Sequence, residues 1–274
     1  MNRVGFIGLG SQGGPMAERI LAAGYPLTVW ARRSEVAEDL AAKGADVAGS
    51  IAELGADCDH VGVCVVNDDD VASVCEQLIP AMRSGSLIVI HSTVLPETCQ
   101  GLARRCAAHG IDLIDAPVSG GGAGAAAGTL TVMCGGAADA FAAARPVLDT
   151  FAELVVLLGE VGAGQRAKIV NNALLAANMG LAQAALQAGD ALDLDRGALA
   201  DLIKASSGRS FGFEVFARLP HPRDFAVGAP LLVKDVGLLK TTLPDDAGAE
   251  ALRAAADPFL SAATGGPDAT EYRP

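Results

Sequence analysis

The stretch Val4-Gly-Phe-Ile-Gly-Leu-Gly-Ser-Gln-Gly-Gly-Pro-Met-Ala17 decides the fold. A short apolar strand, Val4 to Ile7, runs into Gly8-x-Gly10-x-x-Gly13 and then into a helical pattern reaching Ala23. The first glycine permits the tight turn, the second lets a pyrophosphate approach the backbone, and the third lets helix pack on strand. The helix start adds N–H donors and the positive end of a dipole. In this strand–turn–helix setting the motif predicts a dinucleotide-binding fold, with Gly8, Gly10, Ser11, Gln12 and Gly13 around the phosphates. Outside that setting it would be only a glycine-rich turn.

The second strand, Leu27 to Trp30, ends at the position where an NAD-binding chain places Asp or Glu for the ribose 2′-hydroxyl. Here Ala31-Arg32-Arg33-Ser34 follows. Two guanidiniums and a hydroxyl can make charge-assisted bonds to a 2′-phosphate, and no carboxylate repels it. Arg32, Arg33 and Ser34 therefore point to NADP, with NAD as the other possible cofactor; the bland alternative is a solvated helix start. Further strand–helix units follow, with strands at 60–66, 87–91 and 111–115. Ligands of open α/β sheets lie beyond the carboxyl ends of strands, which nominates Val66, Asn67 and Thr93, although each could simply cap a helix. After Asp115 comes Ala-Pro-Val-Ser119-Gly120-Gly121-Gly122, whose exposed N–H groups suit a small carboxylate or form a plain loop. Two more strands are expected at 129–136 and 154–158, continuing the sheet to its end.

From Gly162-Ala-Gly-Gln-Arg-Ala-Lys168-Ile-Val-Asn-Asn172 one helix of roughly seven turns is expected. Ile169, Leu174, Leu175, Met179, Leu181 and Leu186 dress most of its circumference, so neighbours, a second subunit included, should cover it. Lys168 and Asn172 are four apart and share one face. Spacing alone leaves Lys168 equally readable as a snorkelling surface cation.

Composition narrows the partners. The net charge of −12 argues against nucleic acid or an anionic membrane surface, either of which wants a basic patch. No apolar run is expected to reach the roughly 20 residues that span a bilayer, and Met1-Asn-Arg leads into a strand without a signal-peptide pattern. The six cysteines lack CxxC pairing or clustering with the four histidines, which reads as free thiols in a reducing cytoplasm and no metal site.

These residues resemble the β-hydroxyacid dehydrogenase family. Four motifs carry the resemblance in order: Gly8-Leu-Gly-Ser-Gln-Gly13 with Met16-Ala17, Asp115-Ala-Pro-Val-Ser-Gly-Gly121, Gly162 to Asn172, and Leu232-Val-Lys234-Asp235. The resemblance covers about residues 1 to 240. It implies that Ser119, Gly120 and Gly121 bind a substrate carboxylate. It makes Lys168 the catalytic acid/base and Asn172 a substrate-positioning group. It sets Lys234, with Asp235 beside it, near nicotinamide and substrate, and lines the substrate pocket with the segment holding Phe211 and Phe213. A lysine acting as base near neutral pH needs its affinity for protons lowered by burial or a nearby cation.

The departures are local: Ala31 replaces the usual Asn, Val66-Asn67 the usual Leu-Pro, and the C-terminus has one helix, about 249–263, and the tail 265–274 where members carry a helix pair. The expected architecture is an α/β Rossmann-type dinucleotide-binding domain, 1–162, followed by an all-α substrate and dimerisation domain, 163–274, joined by the long interdomain helix. A homodimer or dimer-based tetramer is expected, since about 110 residues make a thin core alone. The rivals weigh less. An imine reductase would replace Lys168 by Asp or Tyr, 6-phosphogluconate dehydrogenase needs a far longer helical domain, and a silent NADP-binding protein has no chemical reason to keep Lys168, Asn172 and Ser119 together.

Overall fold

The computed structural model describes residues 3–226 and 228–265; the C-terminal tail beyond Gly265 lies outside them. The chain divides into two compact units between Lys168 and Ile169.

The first unit holds β1 (Val4–Ile7), α1 (Gly13–Ala22), β2 (Leu27–Trp30), α2 (Ser34–Ala42), β3 (Asp46–Val47), α3 (Ile51–Asp57), β4 (His60–Val63), α4 (Asp68–Leu78), β5 (Leu87–Ile90), α5 (Pro96–Ala107) and β6 (Asp112–Asp115). The six strands form one parallel sheet in the order β3-β2-β1-β4-β5-β6. β1, β4 and β5 are buried at every residue, as parallel strands covered on both faces must be. Side chains alternate between the two layers. Val4, Phe6 and Val89 pack with Met16 and Ile20 on one face, and Ile7, Val61, Val63, Ile88 and Ile90 pack with Leu54, Val74 and Leu78 on the other. The fold is the Rossmann arrangement expected from the glycine motif.

The chain then leaves that sheet. β7 (Val118–Ser119), α6 (Gly121–Ala127), β8 (Leu130–Cys134), α7 (Ala138–Leu148) and β9 (Ala152–Leu157) build a separate three-stranded sheet ordered β7-β8-β9. The expectation that the last strands continue the first sheet is thus corrected. β8 runs antiparallel to β7, and its end bridges antiparallel to Asp115 through Gly135, so it cannot add to the parallel edge at β6.

The second unit is helical among its described residues: α8 (Ala163–Ala191), which begins in the first unit, α9 (Arg196–Ala205), α10 (Phe211–Phe216), a 3₁₀ turn at Pro222–Phe225, α11 (Ala229–Thr242) and α12 (Ala247–Thr264). Met179, Leu186, Phe213, Phe216 and Phe259 form its core. α8 crosses α12 so closely that a Cβ on Gly180 would overlap the Ala255 carbonyl. Ile169, Met179 and Leu186 are buried, but Val170, Leu174 and Leu181 stand exposed on one face of α8. One expectation needs correction here. By length and composition α8 is apolar enough to cross a bilayer, although 56% of its most apolar window is buried inside the protein, as in the core helix of a soluble protein.

All six cysteines are free, five buried and Cys64 half-buried. Burial pushes the Cys64, Cys75 and Cys134 thiols up to about 12 and Cys106 to about 11, and raises Cys58 and Cys99 as well.

Two buried histidines set the response to acid. Burial lowers His60 to about 3, helped by repulsion from His91, and lowers His91 to about 4, partly offset by its bond to the Ala116 carbonyl. Both are neutral in the fold, whereas the unfolded chain takes up protons below about 6.5. Stability is therefore lost as pH falls from 6.5 towards 4. Asp115, whose carboxyl is raised chiefly by burial, has the opposite sign and favours the fold at the acid end. We expect the unfolding free energy from urea titrations to fall between pH 7 and pH 4.5 by on the order of 2 kcal/mol per histidine, less the Asp115 contribution. A flat profile across that window would contradict the burial of both rings.

Candidate active site

The glycine turn does what its spacing implies. Gly8 sits at φ +96°, and a Cβ there would strike the Cys64 carbonyl at 2.1 Å. A Cβ on Gly13 would stand 2.0 Å from the Gly8 carbonyl, so this glycine seats α1 against the turn. Gly10 is different: nothing lies within 4 Å of its Cβ direction. The space at Gly10 opens into a cleft of about 760 Å³ lined by Gly8, Gly10, Trp30, Arg32, Arg33, Val66 and Asp70 among others. That volume lies in the range of small-molecule and cofactor sites, and the residues fit a dinucleotide.

Other predicted cofactor residues lie beside the cleft rather than in its lining. Gln12 and Gly13 begin α1, Ser34 begins α2 after Arg33, and Ser11 is exposed. The Asn67 side chain caps α4, accepting from the Asp70 N–H at 2.9 Å. Thr93 is half-buried between Ser92 and Val94, both of which are held by groups the sequence did not single out.

Those groups form a buried polar clasp. The Asp115 carboxylate accepts from the Gly162 N–H at 2.6 Å and the Gln165 N–H at 2.8 Å, satisfying donors at the start of α8. The Gln165 amide accepts from the Val94 N–H at 3.0 Å and donates to the Ser92 carbonyl at 2.9 Å. The Ser92 hydroxyl in turn accepts from the Val65 N–H at 2.8 Å. Three strand ends and one helix start are thereby fixed together, and Lys168 follows Gln165 by one turn. Lys168 is only 7% exposed. Gly164 has no room for a side chain, since its Cβ would lie 2.2 Å from the Met133 carbonyl. Spacing does not announce the clasp, because its bonds form only once strand ends and helix start have docked; the burial of Gln165 and Asp115 reveals it in the structure.

Ser119 is half-buried at the end of β7, and Gly120 and Gly121 follow at φ +128° and +64°. A Cβ on Gly121 would meet nothing within 4 Å, whereas one on Gly122 would strike the Ser11 carbonyl at 2.4 Å. The serine–glycine loop is thus packed against the phosphate turn while keeping Gly121 open.

In the second unit, the Asn172 amide donates to Asp235 Oδ2 at 2.5 Å and its oxygen accepts from Asn171 at 3.1 Å. Lys234 Nζ lies 3.3 Å from the other Asp235 oxygen. Asp235, 3% exposed, orients Asn172 as well as accompanying Lys234, a link that sequence spacing could not supply. Phe213 belongs to the core and Phe211 is 70% exposed. Among the described residues no cluster of His, Cys, Asp and Glu could hold a metal.

The fold and the glycine cleft define a nicotinamide-dinucleotide oxidoreductase. Two family models divide the chain: the NAD-binding domain of 6-phosphogluconate dehydrogenase matches residues 3–159, and the NAD-binding model of NADP-dependent 3-hydroxyisobutyrate dehydrogenase matches 162–270. Among curated relatives, an NAD-dependent L-serine dehydrogenase of Pseudomonas aeruginosa is 37% identical over 257 residues, covering 87% of this chain and 84% of its own. An L-threonate dehydrogenase of Cupriavidus necator is 36% identical over 272 residues, covering 96% and 91%. Among solved structures, a Mycobacterium tuberculosis 3-hydroxyisobutyrate dehydrogenase with L-serine superposes with a TM-score of 0.87 at 30% identity, covering 98% and 96%. The chain belongs to the β-hydroxyacid dehydrogenase family and is a dehydrogenase acting in hydroxyacid oxidoreduction with a nicotinamide dinucleotide.

The two inner glycines should separate by experiment. Gly10→Val should leave the melting temperature nearly unchanged and weaken dinucleotide binding at least tenfold. Gly13→Val should lower the melting temperature markedly, because backbone must move to admit the side chain. Thermal melts and cofactor titrations of both variants check this; equal effects on stability would contradict the geometry.

Proposed function

We propose that this enzyme interconverts a short 3-hydroxy acid and its semialdehyde, or reduces a small aldehyde or keto acid, with NADP preferred over NAD and Lys168 as general acid/base. The observation that carries the reading is the burial of Lys168 one turn past the clasp, on a helix start fixed to the sheet. The bound dinucleotide would accept or supply the hydride. Gly8, Gly10 and the start of α1 would hold its pyrophosphate, and Arg32 and Arg33 its 2′-phosphate, with no acid at the end of β2 to favour a free hydroxyl. Ser119, Gly120 and Gly121 would bind the substrate carboxylate. In oxidation Lys168 takes the hydroxyl proton; in reduction it returns a proton to the developing alkoxide. Asn172, one turn further along α8, orients the substrate, with Lys234 and Phe211 contributing as the family resemblance implies.

Lys168→Ala should leave folding and NADP binding nearly intact and cut turnover by about 10²–10⁴. Lys168→Arg should not rescue it, because a guanidinium does not release its proton near neutral pH. Initial rates with glyoxylate, succinic semialdehyde and short 3-hydroxy acids provide the test; a Lys168→Ala variant keeping a tenth of wild-type turnover would refute the role. For the cofactor, Arg32→Asp should shift binding from NADP towards NAD. An unchanged affinity ratio would remove Arg32 from the assignment.

The six free thiols, five of them buried, support a reducing, cytoplasmic setting for the enzyme. The exposed stripe Val170, Leu174 and Leu181 supports a homodimer or a dimer-based tetramer formed through the helical unit. Sedimentation showing a monomer at micromolar concentration would overturn that assembly.

A further inference from the structure

Three consecutive acids open α4, and each has a different setting. Asp68 Oδ1 accepts from the Leu95 N–H at 2.9 Å and the Thr98 hydroxyl at 2.5 Å, joining α4 to the start of α5. Asp69 is exposed. Asp70 lines the cofactor cleft, and its Oδ1 stands 2.6 Å from Arg32 Nη2. Among the described residues lining the cleft it is the one carboxylate, against the two cations Arg32 and Arg33. The end of β2 lacks the acid that an NAD site would carry, yet the fold brings one to the same corner from the far side of β1.

We propose that Asp70 is a specificity-determining residue for the cofactor. Its carboxylate holds the Arg32 guanidinium that a 2′-phosphate would need, and so lowers the enzyme's preference for the phosphorylated dinucleotide. The proposal rests on the reading of Arg32 as the phosphate-side cation.

The physical argument is competition. Arg32 has a planar fork of donors, and the donor nearest Asp70 is already spent in a charge-assisted bond. A 2′-phosphate brings about −1.5 to −2 charges to that guanidinium. It must then share Arg32 with Asp70 or displace it, and in either case it lies near a like charge. A ribose 2′-hydroxyl is neutral and meets no such repulsion. Because the Arg32 side chain is 76% exposed, the pair is screened and the effect is moderate. Asp70 belongs to the first turn of α4, where Asn67 holds its N–H, so the carboxylate stands on a capped helix end rather than a loose loop.

The test measures binding, not turnover. Dissociation constants for NADP⁺, NAD⁺ and the fragment 2′,5′-ADP are compared in wild type, Asp70→Asn, Arg32→Ala and the double variant, at two salt concentrations. Asp70→Asn should tighten NADP⁺ and 2′,5′-ADP about two- to tenfold, more at low salt, and leave NAD⁺ within about twofold. With Arg32 removed, most of that gain should vanish. Weaker or unchanged NADP⁺ binding by Asp70→Asn overturns the proposal, as does an equal gain for both cofactors or a gain that persists in full without Arg32. If Arg32→Ala itself leaves NADP⁺ affinity unchanged, the reading of Arg32 fails instead, and the two failures are told apart by that variant. Thermal melts of each variant verify folding, and Asp70→Ser gives a second, smaller neutral replacement with the same expected direction.

Discussion

The capture of two backbone N–H groups by the buried Asp115 carboxylate is the interaction on which the rest depends. A strand end, a turn and the first residues of a 29-residue helix meet there. Desolvation alone would make a carboxylate in that position costly. The bonds from Gly162 and Gln165 offset the cost and oppose the rise that burial imposes on its proton affinity. The same bonds dispose of donors that every helix start leaves unsatisfied. Glycine at 135 and 164 is what lets the carboxylate approach so closely, since a Cβ at either position would overlap it.

Gln165 extends this fixation sideways. Its amide uses both ends, one as acceptor and one as donor, on the backbone between β5 and α5. A carboxylate at that position would repel the Ser92 carbonyl, and an aliphatic side chain would strand both backbone groups. The choice of glutamine is therefore dictated by hydrogen-bond inventory, not by size. Lys168, one turn further along the same helix, inherits a defined position from this arrangement.

What could be read in advance divides along physical lines. Local sterics and capping were legible. Gly8, Gly10 and Gly13 act through backbone conformation and close approach within a few residues, and Asn67 marks a helix start by a rule that operates within one turn. Links between distant residues were not. Nothing in spacing joins Arg32 to Asp70, Gln165 to Ser92 or Asn172 to Asp235, because each pair forms only once the elements have docked. The second sheet was missed for a related reason: strand propensity announces a strand but not its partner. The long helix is apolar round most of its circumference, as its sequence implies, but burial within the chain reaches only part of it. Leu174 and Leu181 carry the same chemistry as Met179 and Leu186 but occupy another face.

The buried cysteines carry a consequence for how this chain meets reactive chemistry. With thiols raised to about 11 or 12, roughly one in ten thousand or fewer of these groups is ionised at neutral pH, and the thiolate is the attacking form. Burial and low ionisation together slow the reaction of these thiols with peroxides and alkylating reagents while the chain is folded. Opening the structure restores ordinary thiols all at once, at sites distributed from α3 to β8. Labelling by a thiol reagent is then a clock for the opening of the nucleotide-binding unit, built into the native sequence without an engineered probe.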